Sequence, residues 1–174
     1  MATSSVDSRG AAGPSRREIV RALSDIYRGP AWHGPSLRAT LRGVTGIEAG
    51  WRPAPNRNSI YDIVLHLAYA RHRMLGRLAA FERRRHPRFG RSMRAGWFPY
   101  TPTHPDERGW TEDLRVLDSY QEQVLRAVGQ AKPTTLAMRR RGKLVTIGSE
   151  FMGLAFHDAY HAGQIRLLTL LARH

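Results

Sequence analysis

Residues 146–174 read TIGSEFMGLAFHDAYHAGQIRLLTLLARH. Ile147, Phe151, Leu154, Ile165 and Leu168 recur in register for one helix face, so the spacing predicts a helix from about Thr146 or Ile147 to the end of the chain. Three further segments carry the same period. Ser15 and Glu18 form a capping box ahead of Ile19, Leu23 and Ile26, and Gly29-Pro30 breaks that helix. Ser59 and Asp62 open a second long helix carrying Ile60, Ile63, Val64, Leu67, Met74, Leu75 and Leu78, expected to reach about Glu82 or Arg85. Trp110 begins a third, with acidic residues in its first turn and Leu114, Leu117, Gln121, Val124 and Val128 as its inner stripe. Between the first two, Pro35-Ser36 restarts a short helical stretch with Leu37, Leu41 and Val44 on one side. Residues 45–58, 86–109 and 129–145 read as connections by composition, with a short ribbon near 136–146, and loops as long as 86–109 are usually functional or mobile. The pattern predicts an all-α, four-helix bundle with long irregular connections, a single domain over 15–174 behind a flexible tail at 1–14.

Composition narrows the function classes. A chain of 174 residues with 41% hydrophobic content suffices for one domain with a core. The absence of cysteine excludes a disulfide scaffold, a Cys-ligated zinc site, the usual iron–sulfur cluster and a protein thiol nucleophile. The longest stretch free of Asp, Glu, Lys and Arg is 95–105, and its prolines at 99, 102 and 105 bar a transmembrane helix. The opening MATSSVDSRGAAGP has no apolar segment of the secretory kind, so a cytoplasmic protein is expected. The net charge of +14 suggests nucleic acid, but only Lys132 and Lys143 are lysines and the arginines occur along nearly the whole chain. We read it as a generic basic surface, with no nucleic-acid partner expected.

The chemistry concentrates in Phe156-His157-Asp158-Ala159-Tyr160-His161-Ala162-Gly163-Gln164-Ile165. His157 and His161 lie one turn apart on one helix face, and two imidazoles so placed can bite one metal ion. Metalloproteases that use this spacing need a Glu after the first His, and Asp158 stands there instead. Both histidines fall at or near the apolar face, where a polar ring must find a partner. His66, at the edge of the stripe of Ile63, Leu67, Ala70 and Met74, is a candidate third ligand from another helix; the competing reading is a core-edge histidine bonded to a backbone carbonyl. Three histidines with open positions would activate water or polarise a substrate oxygen.

AWHGPSLRATLRGVTGIEAGWRP, then NSIYDIVLHLAYARHRML, then Trp110 opening a helix, then FHDAYHAGQIRLL, resembles the DinB/YfiT-like superfamily of bacterial metal-binding four-helix bundles over about residues 17–172. The specific motifs are His66-Leu67 and the HxxxHxGQI run from His157 to Ile165. The resemblance implies that His66, His157 and His161 bind one divalent metal, zinc or nickel first, with iron or manganese as further options. It also implies a homodimer and a small-molecule substrate, with a low-molecular-weight thiol as cosubstrate. The reaction implied is thiol S-transfer or isomerisation, or metal-dependent hydrolysis; the alternative is a stress-response nucleic-acid-binding or interaction module with a structural metal. Metal coordination stabilises a thiolate, and a chain without cysteine fits an external thiol.

Neighbouring residues carry paired readings. Asp158, well inside the apolar face, is either a group supporting the metal ligands or an anchor for a buried Arg, Trp or backbone N–H near the 45–58 loop. Gln164 either orients a ligand or substrate or makes a helix-packing hydrogen bond. Tyr160 is expected against a neighbouring helix or subunit, Trp32 and Trp51 in the core, and Gly163 at a close helix contact. Arg71 and Arg73 are expected on a solvated helix face, with an anionic substrate group as the functional option, and the runs at Arg83–Arg85 and Arg139–Arg141 on the surface.

Overall fold

The computed structural model describes residues 13–32, 34–94, 97–102 and 105–174, so the expected tail at 1–14 lies, apart from Gly13 and Pro14, outside the described residues. Four long helices carry the fold: α1 (Arg16–Tyr27), α4 (Ile60–Phe81), α5 (Glu107–Gln130) and α7 (Ile147–Ala172). Three short ones lie between them: α2 (Leu37–Thr40), α3 (Gly46–Gly50) and α6 (Pro133–Ala137). The start signals act as the sequence suggests. Ser15 and Glu18, and Ser59 and Asp62, close reciprocal capping boxes, and the Thr146 hydroxyl accepts from Ser149 N–H.

The structure departs from the sequence reading where short or polar signals are diluted by loop composition. Residues 45–58 contain α3, opened by a third capping box between Thr45 and Glu48. α5 begins at Glu107 rather than Trp110, because the Asp106 carboxylate caps Gly109 N–H. Within 129–145, Pro133 sits in the first turn of α6. Among the described residues there are two isolated antiparallel bridges, Arg139–Thr146 in the expected ribbon region and Met93–Pro99 in the long connection.

α4 packs on α5 and α7, and α1 packs on α7 and α5, so each long helix touches two others. The core falls into two apolar clusters. One gathers Leu37, Leu41 and Val44 with Ile60, Val64, Leu67, Trp110, Leu117 and Ile165. The other gathers Ile19 and Leu23 with Met74, Leu78, Val124, Ile147, Phe151 and Leu154. Each fully buried side chain of this size contributes about 1.5–3 kcal/mol.

A polar layer crosses all four long helices between the clusters. Arg71 of α4 donates from Nε to Gln121 Oε1 at 2.9 Å and from Nη2 to Asp158 Oδ2 at 2.5 Å. Gln121 of α5 donates from Nε2 to the Leu23 carbonyl of α1, and the guanidinium lies 5.0 Å from the centre of the Tyr27 ring. Asp158 is therefore an anchor for a buried arginine, supplied by α4 and not by the 45–58 region. Arg71, expected on a solvated face, has no solvent exposure, because the carboxylate and amide across the core take its donors. Trp32, expected in the core, is 96% exposed, and beyond the Cα of Gly163 there is open space rather than a helix contact. Arg83–Arg85, Arg139 and Arg141 are exposed as expected, whereas half-buried Arg140 pairs with Glu150.

Candidate metal centre

His66, in the second turn of α4, is buried, and His157 and His161, mid-way along α7, are half-buried and buried. The packing of α4 on α7 brings the three rings together. The Nε2 atoms of His66 and His157 are 3.0 Å apart, those of His161 and His157 3.1 Å, and one nitrogen from each ring lies within 4.8 Å of the others. Nitrogens sharing one zinc ion at about 2.0–2.1 Å stand about 3–3.5 Å from one another.

The outward nitrogens decide the tautomers. His66 Nδ1 donates to the Trp97 carbonyl at 3.0 Å, and His161 Nδ1 donates to Gln164 Oε1 at 2.6 Å. Both acceptors lack a proton, so each ring keeps its own at Nδ1 and turns an Nε2 lone pair inward, the arrangement that orients metal-bound histidines. His157 Nδ1 is buried without a hydrogen-bond partner in the protein. Burial holds all three imidazoles below their ordinary range. His157 falls to about 3, helped by the neighbouring His161, His66 and Arg71, and His161 falls to about 4. At neutral pH the cluster is a set of uncharged nitrogen donors, and it could hold one divalent ion.

The wall over this cluster comes from the long connection. Arg94 N–H donates to the Phe98 carbonyl at 2.8 Å and Tyr100 N–H to the Ser92 carbonyl at 3.0 Å, which pairs residues 92–94 with 98–100. Arg91 pairs with Asp113 and Arg94 with Asn58, which pins this segment to α5 and to the lead-in of α4. Phe98 then stacks on His66 with ring centres 4.5 Å apart and planes at 17°, beside the Trp97 carbonyl. The sequence pointed to functional weight in 86–109 but not to these two residues; an aromatic pair inside a proline-rich segment is the signal it held.

The family profile of the DinB superfamily matches residues 32–165, well over half of the chain and including all three histidines. The chain belongs to the DinB superfamily. Neither the curated proteins nor the solved structures compared with it gave a significant match. In this DinB-superfamily chain the expected all-α architecture is present, and no helix among the described residues is long and apolar enough to cross a membrane.

Two cavities bear on what this DinB-superfamily protein could take up. One of about 420 Å³ is lined by Ile63, Asn58, Arg57, Gln164, Leu167 and Leu168, which places it against the amide that holds His161 and one turn from His66. Another, of about 580 Å³, is lined by Arg28, Arg38, Arg42 and Trp110 and shares no residue with the histidine cluster.

Proposed function

We propose that the chain is a metal-dependent enzyme in which His66, His157 and His161 hold one divalent ion of the zinc or nickel type. The observation that carries this reading is the convergence of three uncharged imidazole nitrogens, two of them fixed in the ligating tautomer by the Trp97 carbonyl and Gln164. A divalent ion held by three imidazoles supplies Lewis acidity that lowers the pKa of a thiol or a water at neutral pH. The protein's own groups do the rest. Gln164 keeps the His161 proton at Nδ1, and the Trp97 carbonyl keeps that of His66. Phe98 covers one face of the His66 ring and limits water there. Arg71 engages Asp158 Oδ2, which favours Gln164 over Asp158 as the residue tuning the ligands.

The favoured reaction is S-transfer or isomerisation with a small external thiol, with hydrolysis of a small molecule as the second reading. The apolar and amide lining of the 420 Å³ cavity, with Arg57 among its residues, suits a small substrate with one polar end. The test is turnover of a thiol-plus-electrophile panel by protein purified from its native host with its metal. Turnover lost on chelation and restored by zinc or nickel supports the reading. Nucleic-acid affinity that survives chelation and falls steeply with salt, without turnover, would replace it with a binding module whose metal is structural.

We also propose a homodimer through α7. Phe156, Tyr160, Leu167 and Leu170 are each at least half exposed and follow a seven-residue repeat with Gly153 and Gly163, the seam of a helix that packs on a second helix. The opposite face of α7 is buried in the core, so this helix is apolar on both sides. Sedimentation equilibrium should give a dimer, and Leu167→Glu a monomer with its helix content retained.

A further inference from the structure

α4 carries a second histidine outside the cluster described above. His72 lies six residues past His66, about 9 Å further along the axis and a third of a turn around it. The residue is 8% exposed. His86, beyond the end of α4, folds back so that its Nε2 lies 3.1 Å from His72 Nδ1. Tyr120 of α5 places its hydroxyl 3.4 Å from the same nitrogen. The rings of Phe89 and Tyr69 close the sides, with centres 5.2 and 6.0 Å from that of His72.

Two features mark this as a prepared arrangement. Gly76 is one turn after His72, and a Cβ there would come within 2.9 Å of the His86 ring. A glycine inside a helix costs about 1 kcal/mol relative to alanine, and here it opens the berth that lets His86 reach His72. Secondly, His72 Nδ1 has a single lone pair, yet both the His86 Nε2 and the Tyr120 hydroxyl approach it. One ring nitrogen makes a single well-aligned hydrogen bond, whether it donates or accepts, so three polar atoms converge where a simple hydrogen-bonded pair needs two. A cation among them engages all three, because each atom can present it a lone pair.

We propose that His72 Nδ1, His86 Nε2 and Tyr120 Oη form a second divalent transition-metal site. Two imidazole nitrogens and a phenol oxygen suit zinc or copper(II). Both imidazoles stay uncharged on binding: His72 keeps its proton at Nε2, and His86 moves its proton from Nε2 to Nδ1. Tyr120 ligates either as the phenol or as the phenolate with release of its proton to solvent. Burial, with His86 and Arg73 nearby, lowers His72 to about 4, so it competes for a metal without a proton at neutral pH. The site does not rest on the function proposed for the first cluster.

The probe is zinc alone. Full-length chain, stripped with chelator and dialysed against buffered zinc, is assayed for zinc per chain, and the histidine ring protons are followed by NMR. The unmodified chain should hold two equivalents, and zinc should shift the ring signals of both His72 and His86. His86→Ala, a change outside the helices, should lose one equivalent and abolish the shift at His72. Tyr120→Phe should keep the equivalent with affinity weakened about tenfold. A chain with His157→Ala and His161→Ala should still take one zinc that shifts His72 and His86, which separates this site from the first. Zinc that leaves the His72 and His86 signals unmoved overturns the proposal, whatever the stoichiometry, and this holds even where a variant does not fold. Full retention of both equivalents by folded His86→Ala also overturns it.

Discussion

Arg71 and Asp158 meet at 2.5 Å across the core with neither side chain exposed to solvent. Asp158 is the residue directly after His157, so the pair ties the histidine-bearing stretch of α7 to α4. Complete burial pushes the Asp158 carboxyl up from its ordinary value and Arg71 opposes that rise. Replacing either partner alone, by Arg71→Met or Asp158→Leu, leaves a buried charge without its counterpart and should cost about 3–5 kcal/mol. The double replacement should cost less than the sum of the two, and urea unfolding of the three variants measures the coupling.

Exchanging His157 and His161 together for Ala should remove one equivalent of metal per chain while the far-ultraviolet circular dichroism stays helical. The helices rest on apolar burial rather than on the ion, since both clusters are complete without these rings. Metal analysis of the purified variant is the check, and an unchanged metal content removes the assignment. His66→Ala should weaken the affinity without abolishing it, because the one-turn pair on α7 remains.

Gln164 offers a sharper test, since it would act on the proposed ion only through His161. Gln164→Leu removes the acceptor that fixes the His161 proton at Nδ1. Metal affinity should fall about 10- to 100-fold with little change in melting temperature of the stripped protein. Gln164→Glu, which keeps an acceptor, should recover most of it. A competition titration against a chelator of known strength reads both.

The stripped protein should lose stability as pH falls from 7 to 4. His66, His157 and His161 have folded pKa values below the ordinary 6.5, with His157 at about 3 and His161 at about 4. Below 6.5 the unfolded chain binds protons that the folded chain refuses, so unfolding is favoured through that window, and the trend flattens once the pH passes the folded values. Thermal melts at pH 7, 6 and 5 should show a falling midpoint. The variant lacking His157 and His161 should show a shallower fall over the same range.

How much of this was legible in the sequence depended on the length of the signal. Four helices with a sustained apolar period, and capping boxes at Ser15 and Ser59, stand in the structure within a few residues of where the spacing puts them. α3 was hidden because its five residues hold a single turn, too short for any period, although Thr45 and Glu48 carry the same cap chemistry. The three histidines could be placed on helix faces from their phase alone. Their outward partners could not: the Trp97 carbonyl belongs to a segment without period, and its position depends on the Arg91–Asp113 and Arg94–Asn58 contacts. Arg71 was misjudged because a charged residue on a helix is ordinarily solvated, and only Asp158 and Gln121 arriving from two other helices reverse that default. Trp32 was misjudged for the opposite reason, a large aromatic ring left outside.

The polar layer of Arg71, Gln121 and Asp158 also acts as a phase lock. Apolar contacts between helices tolerate a slide or a roll, because one methyl group replaces another at small loss. A guanidinium that must reach one carboxylate and one amide does not. A one-residue slip of α7 would turn it by about 100° and break the Arg71–Asp158 pair. The same roll would swing His157 and His161 away from His66. Selection on this buried trio is thereby selection on the angular setting of the three clustered imidazole rings, even though Arg71 and Gln121 stand outside the cluster they align.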